Sequence, residues 1–430
     1  MTFLENNVNM IKNIFIKKIN SLRHLFYAWY GSVKYHHPSE ELLVIGITGT
    51  TGKSSVIHFL RQVLEYAGFK VGSLSTVDFY INGKIELNDK KMTMVGKMFI
   101  QEKLRAMVDA GCNIAIVETT SEGRVQNRHR FINYDMMLLN NLYPEHIESH
   151  GSFENYKQAK IDLFAYTAKC KEKKSGKIAF VSGENKYAQE FLQFNFDQKI
   201  KFTLTDKSIT SDKDGVHFSI HGYNFSAPLY GKHNAENLIA VVEVGRALDI
   251  DWQVLQEAVA QIKSPPGRIE FITEAEKSGF KVIVDYAFEP KALSALYEVV
   301  GQLEIKGKII HVCGSTGGGR DKARREPIGK LVGEKSDIFI ITDEDSYDED
   351  PLEIMEAVKK GALSVGKEEG KNLFMILDRG EAIKKALDLA EVGDLVLVTG
   401  KGSEQKMCVA GGKMIDWDDR VLVHKYLDNR

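Results

Sequence analysis

Leu42-Leu43-Val44-Ile45-Gly46-Ile47-Thr48-Gly49-Thr50-Thr51-Gly52-Lys53-Ser54-Ser55 carries the decision on the fold. Its first six residues form a short apolar run of the length and composition of a buried strand. A glycine-rich turn follows, and helical periodicity then runs from Lys53 to about Tyr66. Strand, glycine loop and helix in that order aim backbone N–H groups and the positive end of a helix at a chain of phosphates. In this pattern Lys53 meets the outer phosphate oxygens and the Ser54 hydroxyl meets Mg²⁺. The loop therefore points to nucleoside triphosphate binding. It is a variant, because Ile47 stands where the common G-x-x-x-x-G-K-[ST] pattern has its first glycine.

Working outward, Val71 to Ser75 reads as a strand, and Val77 to Leu87 as a hairpin turning at Asn82-Gly83. Helical spacing returns from Lys97 to Ala110. The run Asn113 to Val117 is a strand that delivers Glu118 at its end, and Met136 to Leu139 repeats the device for Asn140 and Asn141. Such alternation predicts a doubly wound, mostly parallel sheet with helices on both faces and ligands beyond the carboxyl ends of its strands. Short strand-like runs fill 198–229, and Ser264-Pro265-Pro266-Gly267 is the strongest linker signal. From Lys281 the pattern restarts with strands at 282–284, 309–312, 338–341, 373–376 and 395–398, which predicts a second α/β domain of Rossmann-like character. The predicted division is 1–41 as a basic amphipathic helical segment, 42–266 as a nucleotide-binding domain and 267–430 as a C-terminal domain.

The bulk properties narrow the partners. The 430 residues are too many for one comfortable domain, and 57 Lys and Arg against 59 Asp and Glu give no reason to expect nucleic acid as a partner. Cys112, Cys170, Cys313 and Cys408 lie far apart, the spacing of reduced thiols and not of a disulfide framework. No run approaches the ~20 apolar residues of a membrane span, and no signal-peptide pattern opens the sequence, so a cytoplasmic monomer is expected. Residues 11–35 interleave Lys12, Lys17, Lys18, Arg23 and Lys34 with Leu22, Leu25, Phe26, Trp29 and Tyr30. Two readings are open: peripheral contact with an anionic membrane surface, or a helix packed on its own domain.

The loop Gly49-Thr50-Thr51-Gly52-Lys53-Ser54-Ser55 resembles the GT-x-GK-[ST]-[ST] element of the Mur ligase family, and further matches follow in order. Glu118-Thr119-Thr120-Ser121 resembles a strand-end Glu-x-Ser-Ser element. Asn140 to His146, Ser149-His150-Gly151 and Tyr156 to Lys160 resemble its N-L-x-x-x-H…HG…Y-x-x-A-K block. Gly231 to Asn237 resembles a G-x-[HF]-N-x-x-N element. The likeness implies a central P-loop-type domain joined to a Rossmann-like one, and an ATP-dependent ligase that activates a carboxylate as an acyl phosphate. The nearest subgroup adds the third amino acid of the peptidoglycan stem, so the implied partners are a UDP-muramoyl-peptide acceptor and an amino acid. Other acceptors, of folylpolyglutamate or cyanophycin type, and a nucleotide-binding protein without ligase activity are the alternatives.

The resemblance also assigns roles. ATP would be held by Gly49, Thr50, Thr51, Gly52, Lys53, Ser54 and Ser55, by Asn237 at the adenine, by Arg268 at the phosphates and by Asp285 at the ribose. Mg²⁺ would be held by Ser54, Glu118 and His146, with Lys160 as a carbamylated and therefore anionic ligand; Lys53, Glu118, His146, Lys160 and Arg268 carry catalysis. Substrate contacts fall to Thr119, Thr120, Ser121, Arg320, Lys322, Asp345, Gly400 and Glu404.

Departures bear on the amino acid added. Phe288 and Ser403 stand where the subgroup has histidine, and its D-N-P-R motif is replaced by Asp343-Glu344-Asp345-Ser346 and the acidic residues Asp348, Glu349 and Asp350. The arginine that would pair bidentately with an incoming carboxylate is missing. The acidic run reads either as a solvated loop or helix N-terminus or as a recognition surface for a cationic amino acid. The segment before the phosphate loop is also far shorter than the uridine-nucleotide-binding domain of that subgroup.

Overall fold

The computed structural model describes residues 22–90, 92–144, 150–203, 209–212, 214–319 and 322–428. Contacts divide the chain into two compact units. One holds the described residues of Met1–Ile209 with Phe218–Ser226 and His233–Ile262, and the other holds Thr210–His217, Ala227–Lys232 and Lys263–Arg430.

The first unit is built on an eight-stranded sheet of β1 (Leu43–Thr48), β2 (Val71–Leu74), β3 (Asp78–Ile81), β4 (Lys84–Leu87), β5 (Ile114–Glu118), β6 (Met136–Leu139), β7 (Ile178–Ser182) and β8 (Gln198–Phe202). Their order is β4-β3-β2-β5-β1-β6-β7-β8. Only β3 runs against the rest, antiparallel to β2 on one side and to β4 on the other; Asn82 and Gly83, at φ 45° and 91°, turn the β3–β4 hairpin as the sequence predicts. β1 lies between β5 and β6, with Ile47 opposite Glu118 on one side and Leu138 on the other. Covered on both faces, it needs a continuous apolar run and has one.

Helix α1 covers residues 22–34. Helix α2 (Lys53–Tyr66) buries Val56, Phe59, Leu60, Val63 and Leu64, the one-sided stripe that a helix on a sheet requires. Helix α3 spans Lys97–Asp109, α4 Ser121–Val125, α5 Phe153–Thr167 and α6 Lys232–Ala247. In α1 the buried positions are the small Ala28, Gly31 and Ser32, while Leu22, Phe26, Tyr27, Trp29 and Tyr30 face outward. The helix is thus held to the unit by its small-residue stripe, and its large apolar side chains form the free face. Residues 11–21 of the basic segment lie outside the described residues, among which no helix is long and apolar enough to cross a membrane.

Three short strands, β9 (Thr210–Asp212), β10 (Gly215–Ile220) and β11 (Tyr223–Ala227), form an antiparallel sheet of order β11-β10-β9. The second unit carries β12 (Glu270–Phe271), β13 (Lys281–Asp285), β14 (Ile309–Cys313), β15 (Ile338–Ile341), β16 (Leu373–Met375) and β17 (Leu395–Thr399), in the order β12-β13-β17-β14-β15-β16. β12 alone is antiparallel. Alternate residues enter separate cores: Ile283, Cys313, Ile341 and Leu397 on one face, Val284, Val312, Ile340 and Val398 on the other.

Candidate active site

In the first unit the glycine loop after β1, Glu118 at the end of β5 and Asn140-Asn141 after β6 meet where the strand order reverses, the place where open α/β sheets hold ligands. Gly52 starts α2 at φ 76°, and a Cβ there would lie 2.6 Å from Asn237 Oδ1 and 2.7 Å from Asn140 Nδ2, so only glycine fits. The Asn141 side-chain oxygen accepts the N–H groups of Thr50 and Thr51, each at 3.0 Å. Thr51 Oγ1 lies 2.6 Å from the Tyr143 hydroxyl, and the Tyr156 hydroxyl donates to Thr50 Oγ1 at 3.1 Å. Lys53 Nζ folds back on the carbonyls of Thr50 and Gly49, at 2.9 and 3.2 Å. The turn is therefore pinned from β6 and α5, with its lysine at the mouth.

Glu118 is 2% exposed. Its Oε2 accepts from Ser54 Oγ at 3.0 Å, from the Thr76 N–H at 2.7 Å and from Thr76 Oγ1 at 3.0 Å. Among the described residues it has no Lys, Arg or His partner, and a buried carboxylate without a countercharge is a demanding arrangement. Thr76 has no signal of its own in the sequence beyond its place just past a strand end, and motif reasoning leaves it out; Asn141, Tyr143 and Tyr156 lie inside the quoted motifs, which assigned them no role. Lys160, on α5 and 1% exposed, reaches the same loop from below: its Nζ donates to the Gly49 carbonyl at 2.8 Å and approaches Thr48 Oγ1 at 3.4 Å. His146, expected in the metal set, lies outside the described residues.

Several expected contact residues do structural work. Thr119 Oγ1 donates to the Val117 carbonyl and is fully buried. Thr120 caps α4 by accepting the Gly123 N–H at 2.9 Å, and Ser121 is the first residue of that helix. The Asn237 carbonyl oxygen accepts from Asn140 Nδ2 at 2.8 Å, tying α6 to the end of β6.

In the second unit, Gly267 at φ 64° packs so tightly on Gly402 and Ser403 that a Cβ would overlap their backbone. Arg268 lies over the Tyr286 ring, 4.4 Å from its centroid. Asp285 accepts the N–H groups of Ile269 and Ala287, each at 2.7 Å, so its carboxylate fixes the segment that carries Arg268. Lys401 is wholly buried, bonded to Asp345 at 2.9 Å and to Glu404, while Tyr286 Oη donates to Glu404 at 3.1 Å. Lys322 and Arg325 both pair with Glu349 at 2.9 Å and hold its carboxyl down at about 2. Arg320 lies outside the described residues.

The acidic run corrects the solvated-loop reading in its first half. Asp343, Glu344 and Asp345 are buried, and burial lifts the carboxyls of Asp343 to about 6 and Glu344 to about 7 despite Arg379 nearby. Glu344 Oε2 has no hydrogen-bond partner, and Gly400 packs against it with no room for a side chain. The helix N-terminus reading holds for Asp350, which accepts the Leu352 N–H at 2.9 Å.

Residues 47–245 match the Mur ligase middle domain, and residues 267–402 match the Mur ligase glutamate ligase domain. The UDP-N-acetylmuramyl-tripeptide synthetase of Treponema denticola is 32% identical over 418 residues, 91% of this chain and 77% of the relative. This chain belongs to the Mur ligase family. Another relative, the UDP-N-acetylmuramoyl-L-alanyl-D-glutamate–2,6-diaminopimelate ligase of Clostridium tetani, is 30% identical and spans 98% of the chain and 85% of its own length. A solved structure of a diaminopimelate ligase of that name superposes with TM-score 0.61 at 25% identity, covering 90% of this chain and 78% of the other. The folylpolyglutamate synthase of Mycobacterium tuberculosis, at TM-score 0.67 and 17% identity over 87% of this chain and 92% of its own, shares the fold.

As a Mur ligase, the chain is an ATP-dependent enzyme that forms an amide bond. The residues present fit the Mg²⁺ that such chemistry uses. Ser54 Oγ and the Glu118 carboxylate stand 3.0 Å apart beside the loop, an all-oxygen pair, and among the described residues no cation is paired with Glu118. Mg²⁺ keeps several waters and needs only one or two protein ligands of this kind.

Proposed function

We propose that this Mur ligase joins an amino acid to a UDP-N-acetylmuramoyl-peptide in peptidoglycan precursor synthesis, acting in the cytoplasm through an acyl phosphate. The observation that carries the reading is the buried Glu118 carboxylate, without a countercharge among the described residues, held by Ser54 and Thr76 at the edge of the phosphate loop. The relatives named as tripeptide synthetases support the choice of acceptor.

In this reading the loop N–H groups and Lys53 take the β- and γ-phosphates of ATP, with Lys53 exchanging its present carbonyl partners for phosphate oxygens. Ser54 and Glu118, with His146 as the sequence implies, would hold Mg²⁺, whose charge would offset that of the phosphates. An oxygen of the acceptor carboxylate attacks the γ-phosphorus and ADP leaves. The uncharged amine of the amino acid then attacks the acyl carbon, phosphate departs, and the amine gives up a proton as the amide forms. Positioning and charge neutralisation supply most of the acceleration. Arg268 bears on the transferring phosphoryl group, and Asp285 acts as its positioning residue through the Ile269 N–H. Lys160 in its free form donates to the Gly49 carbonyl; as a carbamate it would offer oxygens to the metal instead, and uptake of isotope-labelled bicarbonate at Lys160 tests this.

The deciding assay measures phosphate release from ATP with a UDP-muramoyl-dipeptide and a panel of amino acids. Turnover that requires both substrates, and is lost in Lys53→Ala, supports the reading. ATP binding without turnover on any muramoyl acceptor, or turnover only on a folate or a polypeptide acceptor, would sink it.

A further inference from the structure

Helix α1 is fastened on one side and bare on the other. Ala28, Gly31 and Ser32 recur at helical spacing and are buried. A Cβ at Gly31 would stand 3.2 Å from Met98 Cα, so the small residues bring the α1 backbone close against α3. Just past the helix, the Tyr35 hydroxyl donates to Glu102 at 3.1 Å, and Arg105 Nε donates to the Tyr35 carbonyl at 3.1 Å. These contacts fix the rotation of α1 about its own axis, and with it the direction in which the opposite side points.

On that opposite side Leu22, Phe26, Trp29, Tyr30 and Val33 are exposed, Leu22 at 67% and Val33 at 41%. At 3.6 residues per turn they fall within about 100° of the helix circumference, one continuous apolar strip along α1. Its rings pack on one another: Phe26 stacks on Tyr30 with centroids 6.2 Å apart and planes at 11°, and meets Trp29 at 5.8 Å. A helix on a soluble domain ordinarily turns such a strip toward the core. Here the small residues take that place, and the large ones face away.

The charge around the strip says what it meets. The chain balances 57 Lys and Arg against 59 Asp and Glu, yet no acid lies between Glu5 and Glu40. That stretch carries Lys12, Lys17, Lys18, Arg23 and Lys34, with His24, His36 and His37. By the helical period Arg23 and Lys34 border the strip on the same flank, where long stems lie along apolar surface while their charged heads stay in a polar layer. A second copy of α1 would set these bases against their own kind. An anionic lipid surface answers both features: acyl chains take Leu22, Phe26 and Val33, the interfacial layer suits the rings of Trp29 and Tyr30, and head groups take the cations. We propose that α1 docks this protein on an anionic lipid bilayer, lying in the plane of the surface with the strip from Leu22 to Val33 turned inward. Both readings of the basic segment then hold, on opposite sides of one helix. The proposal does not depend on which acceptor the ligase uses.

Flotation of the full chain with lipid vesicles tests it. The chain floats with vesicles of equal parts phosphatidylglycerol and phosphatidylcholine, stays behind with phosphatidylcholine alone, and is released as salt rises, because screening weakens the electrostatic share. Phe26→Glu, and Arg23→Glu combined with Lys34→Glu, each lower vesicle affinity roughly tenfold or more. All three side chains are exposed, so Tm measured without lipid stays at the parent value. Val421→Glu, at an exposed apolar residue of the second unit, leaves flotation unchanged. Tryptophan emission shifts to shorter wavelength on anionic vesicles; Trp29→Phe floats like the parent but loses the shift, although Trp252 and Trp417 remain. Absence of flotation with anionic vesicles overturns the proposal, and so does equal flotation with neutral ones. Affinity untouched by Phe26→Glu and by the double variant places the contact elsewhere and also overturns it. A dimer that Phe26→Glu separates in sedimentation, with no vesicle binding, assigns the strip to a second copy and overturns it as well.

Discussion

The two units differ in the buried charge they leave unanswered. In the second, buried ions are matched: Arg379 is enclosed by Asp419 at 2.6 and 2.8 Å, Lys401 by Asp345 and Glu404, Arg325 by Glu349. The first has matched pairs too, Arg61 with Asp78 and Lys173 with Asp135, but among the described residues its buried Glu118 has no cationic partner. Matched ions fix a backbone, because removing one strands its partner in a poor solvent. An unmatched ion leaves free energy to be released by something that is not protein, and this supports the proposed placement of the metal at the first unit.

The sharpest way to break that comparison is to cut one matched pair. Asp419→Ala leaves Arg379 buried and unpaired and lowers unfolding free energy by about 3–5 kcal/mol, measured by denaturant titration; a loss under about 1 kcal/mol would mean that the pair is not structural. Glu118→Gln, the unmatched counterpart, leaves Tm unchanged or higher. It slows ATP-dependent ligation by roughly 10²–10³-fold, about 2.7–4 kcal/mol of activation free energy, read by phosphate release.

Glu344 is the exception within the second unit, a buried carboxyl with an unpartnered oxygen lifted from 4.5 to about 7. Its folded-state pKa is raised, so between these values the unfolded chain has lost the proton while the folded chain keeps it. Its effect is therefore a fall in stability as pH rises from about 4.5 to about 7, flat above, on the order of 2–3 kcal/mol. Glu344→Gln removes that slope from a series of denaturant melts, and an unchanged slope would assign it to other groups. The smallest effect is at Thr120: its role as the α4 cap predicts about 1 kcal/mol lost in Thr120→Ala, with the acceptor KM altered only if the hydroxyl also touches substrate.

Legibility followed the range of the interactions. The parallel sheets and the 82–83 hairpin could be read directly because strand, loop and helix are written in local spacing. The phosphate loop was legible for the same reason: glycine, lysine and serine act within one turn of backbone. Thr76 was not, and the motif that contains Asn141 and Tyr143 gave no sign of their bonds to the loop, since each reaches the site across the sheet from another strand. The acidic run misled in part because six acids in eight positions look like a surface until burial divides Asp343, Glu344 and Asp345 from the exposed Asp348 and Asp350.

The sequence by itself determined the nucleotide-binding loop, the alternation of strands and helices and, through its ordered motifs, the family. Tertiary structure alone decided which charges are answered and which are not. An ion's partner is set by distance in space and by the water it has lost, and neither is written in the spacing of residues along a chain.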